Sequence, residues 1–239
     1  SDVYKRQEQG GAALAVYFQG KKVVDIYTGK KSDSEQWNSQ TLSVCYSTGK
    51  GILATLAHIL VSEGFLDYDT PIVKFWPEFG QNGKESMTLR HILSHQSGLY
   101  DIRNLIAQAV EMADWQHMLH VMEQATPRFP VGTDIAYQAL TFGWLVGGVL
   151  EKATQQSLAS LLQQYLVEPL ELDGVYFGLP ESELSRVARL IPKAEPIQKT
   201  QTEKPKTKSK SKISFSDKLI ELSGQNPQNF LDCLLYTSD

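Results

Sequence analysis

Apolar positions between Gly51 and Gly64 recur at helical spacing. The stretch reads GILATLAHILVSEG, in which Ile52, Leu53, Leu56, Ile59 and Leu60 fall on one face at helical spacing. Because residues three and four apart share one face of a helix, this spacing predicts an amphipathic helix with one buried side. Gly64 is the expected stop, since a glycine often follows the last helical turn.

Other patterns predict the elements on either side of this helix. Two apolar runs, AALAVYF and KVVDIYT, flank Gln19-Gly20. Two short runs rich in aliphatic and aromatic residues, separated by a two-residue turn, predict a β-hairpin. Further along the chain, helical patterns cover residues 107–124, 139–153 and 157–166. A loop between the first two is marked by Pro127, Pro130 and Gly132.

The start of the predicted helix carries candidate chemistry. Ser47-Thr48-Gly49-Lys50 reads S-x-x-K, and side chains three apart on a helix can touch. A serine hydroxyl is a poor nucleophile without a base, so Lys50 could activate Ser47. An exposed ammonium has no lone pair to offer at neutral pH, and Lys50 must therefore be buried or share the proton with a third group. The Ser47 N–H, at the helix N-terminus, could stabilise an oxyanion.

The tetrapeptide alone is weak evidence. A second S-x-x-K occurs from Ser209 to Lys212 inside a lysine-rich run, where we take it as accidental. The alternative for Ser47 is a helix N-cap whose hydroxyl accepts a backbone N–H, with Lys50 in solvent. The surrounding sequence has to decide between these readings.

Four later segments follow the S-x-x-K helix in order: VSEGFLDYDTPIVKFWPEF, MTLRHILSHQSGL, RFPVGTDIAYQALTFGWLVGGVLE and VEPLELDGVYFGLPESELSRVA. With the hairpin, they resemble the serine β-lactamase-like hydrolases, closest to the family VIII carboxylesterase branch, over about residues 11–190. The resemblance implies an α/β (α+β) fold of the β-lactamase/transpeptidase type. In that fold an antiparallel sheet takes strands from both chain ends, a helical domain lies between them, and the cleft lies between sheet and helices.

The resemblance also implies a third member of the site, Tyr137, which would face Ser47 and Lys50 across the cleft. An ammonium beside a phenol favours its ionised form, which could act as the base. The implied function is a serine hydrolase that forms an acyl-enzyme on Ser47 and hydrolyses short-chain carboxylic esters. The alternative for Tyr137 is a half-buried aromatic residue at the start of the next helix.

Two departures from the family pattern bear on substrate. Tyr137-Gln138-Ala139 stands where β-lactamases and penicillin-binding proteins commonly carry Y-x-N, which favours an esterase. No glycine has Lys, His or Trp two positions before it, so the third family motif (K-T-G, H-x-G or W-x-G) is missing. A penicillin-binding or D-alanyl peptidase activity, a β-lactamase and a non-catalytic binding scaffold stay open as alternatives.

The chain ends lead us to expect a truncated domain. We expect residues 9–190 to form the β-lactamase-like domain, 191–213 a lysine-rich linker or insertion, and 214–231 the start of the returning segment. Residues 1–8 and 232–239 match nothing expected of the family, and we interpret them as non-native. Without the returning strands, the hairpin would expose apolar edges and make the chain poorly soluble.

Composition and charge indicate a globular chain. Its 239 residues are 41% hydrophobic, and the formal net charge is −4, which is enough apolar sequence for a substantial core. Seven lysines face two glutamates between positions 193 and 212. Since no aromatic residues interleave with them, we expect a solvated linker and no nucleic-acid partner. No run of 18 apolar residues occurs, so no membrane span is predicted.

Cysteines and histidines give no sign of a disulfide or a metal. The two cysteines are Cys45 and Cys233, so we expect no structural disulfide and, by default, cytosolic residence. The histidine pairs at helical spacing are His91 with His95 and His117 with His120. No further ligands accompany them at metal-site spacing. We therefore predict no metal and no other cofactor, and a small-molecule ester or lactam as the partner.

Overall fold

The computed structural model of the chain describes residues 10–190. Two strands come first, β1 (Gly11–Phe18) and β2 (Lys21–Gly29). The helices are α1 (Thr48–Ser62), α2 (Leu89–Leu93), α3 (Trp115–Gln124), α4 (Thr141–Thr154) and α5 (Leu158–Leu162). Short 3₁₀ segments cover Ile72–Lys74, Pro77–Phe79, Ile102–Asn104, Ala109–Ala113 and Glu181–Arg186, and a π turn, Gln163–Val167, continues α5. Helices with a small antiparallel sheet confirm the predicted α/β class.

The predicted hairpin is confirmed. β1 and β2 pair antiparallel, with Leu14 opposite Ile26. Gln19 and Gly20 both have positive φ, 49° and 74°, as a two-residue turn that follows the strand twist requires. Both faces are exposed to solvent, and within residues 10–190 no third strand joins the sheet. The expected returning strands, the lysine-rich run and both terminal segments lie outside the described residues.

Helix α1 follows its predicted pattern. Its inner face is buried through Leu53, Leu56 and Leu60, with Ile52 and Ile59 partly buried at the edges of that face. The helix ends as predicted, because Gly64 takes a positive φ of 79°. The N–H of Phe65 then donates to the carbonyl of Leu60, and that of Gly64 to Val61. These two bonds satisfy carbonyls that the end of a helix leaves without partners.

Helix α4 lies at the centre of the core. Every residue of Thr141–Leu150 is buried, as expected of a helix that is apolar all round, and it contacts α1, α2, α3 and α5. A Cβ added at Gly147 would lie 2.8 Å from the Trp115 ring, and one at Gly148 would lie 2.7 Å from the Trp76 ring. The two glycines therefore let both indole rings pack directly on the helix backbone.

The single helix predicted over 107–124 is wrong, because the chain breaks at Asp114. A 3₁₀ turn covers Ala109–Ala113, and α3 begins at Trp115. The Asp114 carboxylate accepts the N–H of His117 at 2.9 Å. An aspartate that caps a helix in this way competes with helical continuation through its own position.

The loop at residues 82–84 caps the far end of α3. Lys84 is fully buried, and its Nζ donates to the carbonyls of Glu123 at 2.9 Å and Ala125 at 2.5 Å. Asn82 Nδ2 donates to the carbonyl between them, that of residue 124, at 2.9 Å. Pro127 has no N–H to offer the Glu123 carbonyl, so these bonds replace the partner that a continuing helix would supply. Burial lowers the pKa of Lys84 to about 8.

The last described segment returns to the residues before α1. Leu42 pairs in parallel with Val187, and the Lys31 ammonium donates to the Ser185 carbonyl at 2.6 Å. A small apolar cluster around Val44 and Leu179 fills this contact. Beside it lies a cavity of about 100 Å³, which reaches the N-terminal turn of α1 but is not lined by Ser47, Lys50 or Tyr137.

The helix predicted over 157–166 is present as α5 and its π turn. Among the helices of residues 10–190, none combines the length and the apolar character needed to cross a bilayer.

Candidate active site

Ser47 lies at the N-terminus of α1, as predicted. It follows Tyr46, whose φ of 45° is unusual for a residue with a side chain. The Ser47 hydroxyl makes no capping bond to the helix backbone, so the interpretation of Ser47 as a simple N-cap is wrong. The next three N–H groups each donate to a carbonyl three residues earlier. Among the described residues, no backbone carbonyl accepts the N–H of Ser47, which leaves it available at the helix end.

Lys50 is buried against the nucleophile candidate. Only 7% of its surface is exposed, which contradicts the alternative of a solvated lysine. Its Nζ donates to Ser47 Oγ at 3.2 Å and to the carbonyl of Ala139 at 2.7 Å. The same nitrogen lies 5.3 Å from the centre of the Tyr137 ring. The Ala139 carbonyl therefore holds the lysine head group over the serine.

Tyr137 completes the cluster from a different part of the chain. Its phenol donates to Ser47 Oγ at 2.9 Å, although 53% of the residue is exposed. The residue lies in the loop before α4, after Pro130 and Gly132 as expected. The structure therefore brings the three predicted residues together around one oxygen atom, and their open side faces solvent.

A loop that follows α2 holds the residues on both sides of Tyr137. The carbonyl of His95 accepts the N–H of Ala136 at 3.0 Å, and its Nδ1 accepts the N–H of Gln138 at 3.3 Å. The His95 ring meets the Tyr137 ring edge to face, with 4.9 Å between centres. The sequence reasoning missed this role. His95 lies in the MTLRHILSHQSGL segment, but nothing in that segment indicates which main-chain groups the histidine contacts.

The Gln138 side chain is the inner anchor of the tyrosine loop. Gln138 and Ser97 are both fully buried, and Ser97 Oγ donates to Gln138 Oε1 at 2.7 Å. Ser97 Oγ also accepts the N–H of Leu99 at 3.1 Å. Gln138 Nε2 is buried without a partner among the described residues. The residue before Ala139, the position that departs from the Y-x-N pattern, is thus fixed by its buried amide, and the Ala139 carbonyl accepts from Lys50.

Burial and charge act on His95 in the same direction. Burial first, and then the nearby Lys50 ammonium, lower the pKa of His95 below its usual value of 6.5. Both effects favour the neutral imidazole. A neutral ring keeps a lone pair on Nδ1, as the bond from Gln138 requires.

The remaining histidines and Cys45 take separate roles. His91 Nδ1 accepts the N–H of Thr88 at 3.2 Å in a capping box. His117 pairs with Glu111 and His120 with Glu123, at 3.0 and 3.1 Å. No three metal-binding side chains come together within residues 10–190. Cys45 is an exposed free thiol, and Cys233 lies outside the described residues.

A helix-borne serine with a lysine one turn later is the arrangement of the S-x-x-K serine hydrolases, and the tyrosine opposite is the third residue that the resemblance implied. Comparison with protein families agrees with this class: the Beta-lactamase family model matches residues 2–213. The chain therefore belongs to the beta-lactamase family, and the fold is of the β-lactamase/transpeptidase type.

Curated and solved relatives support the same assignment. The chain is 37% identical over 185 residues to "Esterase/beta-lactamase LipL" of Mycobacterium tuberculosis, covering 76% of this chain and 42% of LipL. A family VIII carboxylesterase structure superposes with a TM-score of 0.72 at 33% identity, over 80% of this chain and 53% of that one. A penicillin-binding protein homologue from Caulobacter crescentus gives 0.72 at 31% identity, over 81% and 53%. The chain thus spans about half the length of the relatives it matches.

Proposed function

We propose that this chain carries the acylating part of a serine esterase, with Ser47 as nucleophile and with Lys50 and Tyr137 as its proton-handling pair. The observation that supports this most directly is the position of Ser47 Oγ. It lies 3.2 Å from the lysine nitrogen and 2.9 Å from the tyrosine oxygen. Both partners are within the reach that proton transfer from an attacking hydroxyl needs.

In the acylation step, Ser47 Oγ bonds to the ester carbonyl carbon as the carbonyl π bond opens. The hydroxyl proton passes to the Lys50–Tyr137 pair. The pair can accept it as amine with phenol or as ammonium with phenolate, because the two arrangements hold the same number of protons. Collapse of the tetrahedral intermediate breaks the bond to the leaving alkoxide, which takes that proton from the pair. Water then attacks the acyl-enzyme by the same route and releases the acid and Ser47.

The N-terminal end of α1 supplies one site for the negative charge of the intermediate. The Ser47 N–H donates to no backbone carbonyl in residues 10–190, and the helix dipole points its positive end at the same place. The resemblance implies that the second oxyanion donor comes from the third family motif, which is missing from this sequence. Loss of one oxyanion donor typically lowers the rate about 10²–10³-fold. We therefore expect acylation of Ser47 to be easier to detect than fast turnover.

The residue at position 139 favours esters over lactams as substrates, and esterases are among the named relatives. Position 139 offers a methyl group and a backbone carbonyl in place of the asparagine amide of the Y-x-N pattern, and that carbonyl is occupied by Lys50. The site therefore has fewer polar groups with which to hold an amide-rich substrate. LipL is named an esterase as well as a β-lactamase, and a further relative, 29% identical over 174 residues, is the esterase EstB of Burkholderia gladioli.

The test is active-site labelling of the 239-residue chain with a fluorophosphonate, followed by hydrolysis of p-nitrophenyl butyrate and nitrocefin. Wild type should label once, at Ser47, and should prefer the butyrate ester. Ser47→Ala should remove labelling. Tyr137→Phe and Lys50→Ala should slow labelling about 10²–10⁴-fold, the usual range for a lost acid–base group.

Two substitutions serve as matched controls. Ser62→Ala removes a serine at the other end of the same helix, whose hydroxyl bonds the His58 carbonyl. Tyr100→Phe removes a phenol outside the cluster. Both should label at the wild-type rate. A folded wild-type chain that does not label would overturn the esterase proposal and leave a binding scaffold, whereas a stable penicillin adduct without ester turnover would assign a penicillin-binding activity.

A further inference from the structure

His95 contacts Tyr137 and both of its neighbours at once. Its carbonyl holds Ala136 and its Nδ1 holds Gln138, so two of the three amide groups around the tyrosine point at one residue. The backbone of His95 has a φ of 60°. A histidine in that conformation needs support from its contacts, because side-chain-bearing residues seldom adopt it.

The contact with Gln138 requires one protonation state. Nδ1 can accept an N–H only as part of a neutral ring whose proton is on Nε2. An imidazolium would direct its own N–H at the N–H of Gln138 from 3.3 Å, which is repulsive. It would also add a positive charge near Lys50, which already acts on His95 electrostatically. Protonation thus removes the bond and introduces two unfavourable contacts.

The described neighbours of His95 do little to stabilise a protonated ring. From α1 the charged group that faces it is Lys50, and from the tyrosine loop the titratable group is Tyr137. From α4 the contact is the Phe142 ring, at 5.4 Å between centres. Four positions earlier in the chain, on α2, the ring of His91 accepts the N–H of Thr88. Among these described neighbours none is a carboxylate that could stabilise the imidazolium.

We propose that His95 is a positioning residue for Tyr137: its neutral ring keeps the phenol on Ser47, and protonation of the ring removes the Gln138 contact, moves the phenol off Ser47 and lowers activity at acid pH. This inference rests on the proposed hydrolase function only for its effect on rate. The positioning itself is a structural relation between two side chains, and it can be measured whether or not Ser47 reacts.

Replacing His95 by either of two amide residues separates its role as a hydrogen-bond acceptor from the effect of protonating its ring. In His95→Asn the side-chain oxygen reaches about as far as Nδ1, so it can accept from Gln138, it cannot titrate, and asparagine tolerates the positive φ. In His95→Gln the amide lies one carbon further out and misses the Gln138 N–H. Both variants are measured beside wild type from pH 4.5 to 8, with circular dichroism to establish that each is folded at every pH used.

The first readout is the rate of Ser47 labelling by a fluorophosphonate. Wild type should lose about tenfold per pH unit below the pKa of His95, the limiting slope of one protonation. His95→Asn should keep the neutral-pH rate within about threefold and should not show that fall. His95→Gln should be slower at every pH, on the order of 10²-fold, as for a misaligned acid–base group. Its KM for p-nitrophenyl butyrate should change little, because the substitution acts on the phenol and not on binding.

The second readout does not need activity. In a chain with ¹³C-labelled tyrosine, the Tyr137 ring signal is assigned by its loss in Tyr137→Phe. That signal should shift with pH as His95 titrates in wild type and should stay constant over the same range in His95→Asn. Failure of wild type to label while the signal still follows His95 would defeat the esterase proposal alone. Identical pH dependence of this signal in wild type and His95→Asn, or a wild-type signal in His95→Gln, would overturn the positioning role.

Discussion

The hairpin and the helical body, which we define as residues 48–167, are stabilised in different ways. In the hairpin Leu14 and Ile26 face each other across the strands, yet 53% and 59% of their surfaces are exposed. In the helical body α4 buries ten consecutive residues. The hairpin therefore depends on its turn and its ladder of hydrogen bonds, whereas the helical body gains from removing apolar surface from water. An isolated two-stranded hairpin is marginal in water, so the two regions should differ in stability although both are well formed.

Amide hydrogen exchange should show the largest contrast between the regions. Amides of α4 should exchange only through global unfolding, with a free energy of opening of about 5 kcal/mol or more. Amides of β1 and β2 should open at about 0–1 kcal/mol, since few apolar contacts hold the strands. If the hairpin were protected as strongly as α4, the two would form one cooperative unit, which would contradict the expected difference in stability.

Truncating one leucine in each region is the next largest test. Leu56 is fully buried on the inner face of α1, so Leu56→Ala should lower the free energy of unfolding by about 2–5 kcal/mol, measured by urea denaturation. Leu14→Ala removes the same atoms from the hairpin and should change it by about 0.5 kcal/mol or less. Similar losses at both positions would mean that the hairpin packs on a core in solution.

Lys84 provides a pH test of the helical body. The folded pKa of about 8 lies below the usual 10.5, so between these values the unfolded chain holds the lysine proton more strongly. The free energy of unfolding should therefore rise as pH increases from about 8 to 10.5, by roughly 1–3 kcal/mol at 1.36 kcal/mol per pKa unit. Lys84→Met should abolish this rise, while Lys152→Met, which alters a half-exposed lysine 4.0 Å from Glu78, should keep it.

Substituting the exposed face of the hairpin should have the smallest effect on stability and a clear effect on solubility. Leu14→Thr with Ile26→Thr keeps residues suited to strands and removes two exposed apolar side chains. The free energy of unfolding should change by about 0.5 kcal/mol or less, and the concentration at which the chain aggregates in light scattering should rise. Unchanged aggregation would place the liability elsewhere in the chain and would contradict the expectation drawn from the unpaired hairpin edges.

The elements that were predicted from the sequence are those with strong local signals. Helices α1 and α4 have dense apolar patterns, and the hairpin has a turn pair that takes two positive φ angles. The break at Asp114 was missed because the apolar pattern continues through it, and the capping bond to His117 competes with that pattern locally. A capping aspartate followed by a helical run was available as a signal.

In the candidate site, too, the residues with a local sequence signal were predicted and the contacts without one were missed. Ser47, Lys50 and Tyr137 were expected from the motif and the resemblance, and the structure brings them together. The contacts of His95 and Ala139 could not be read from the sequence. The Ala139 carbonyl accepts from the Lys50 side chain, 89 positions away, and the Gln138 main-chain N–H donates to the His95 side chain, 43 positions away. One partner of each contact is a main-chain group, and the backbone carries no residue-specific pattern.

The Ala139 carbonyl has a consequence for how this position would behave in comparisons and in mutagenesis. Every amino acid has a carbonyl, so the side chain at 139 can vary while the Lys50 contact is kept. The choice of side chain at this position would then carry no information about the Lys50 contact, and alanine scanning cannot address the position at all. An amide-to-ester replacement of the following peptide bond, introduced by chemical ligation, would weaken the carbonyl as an acceptor. That backbone change would test a contribution that side-chain variation leaves hidden.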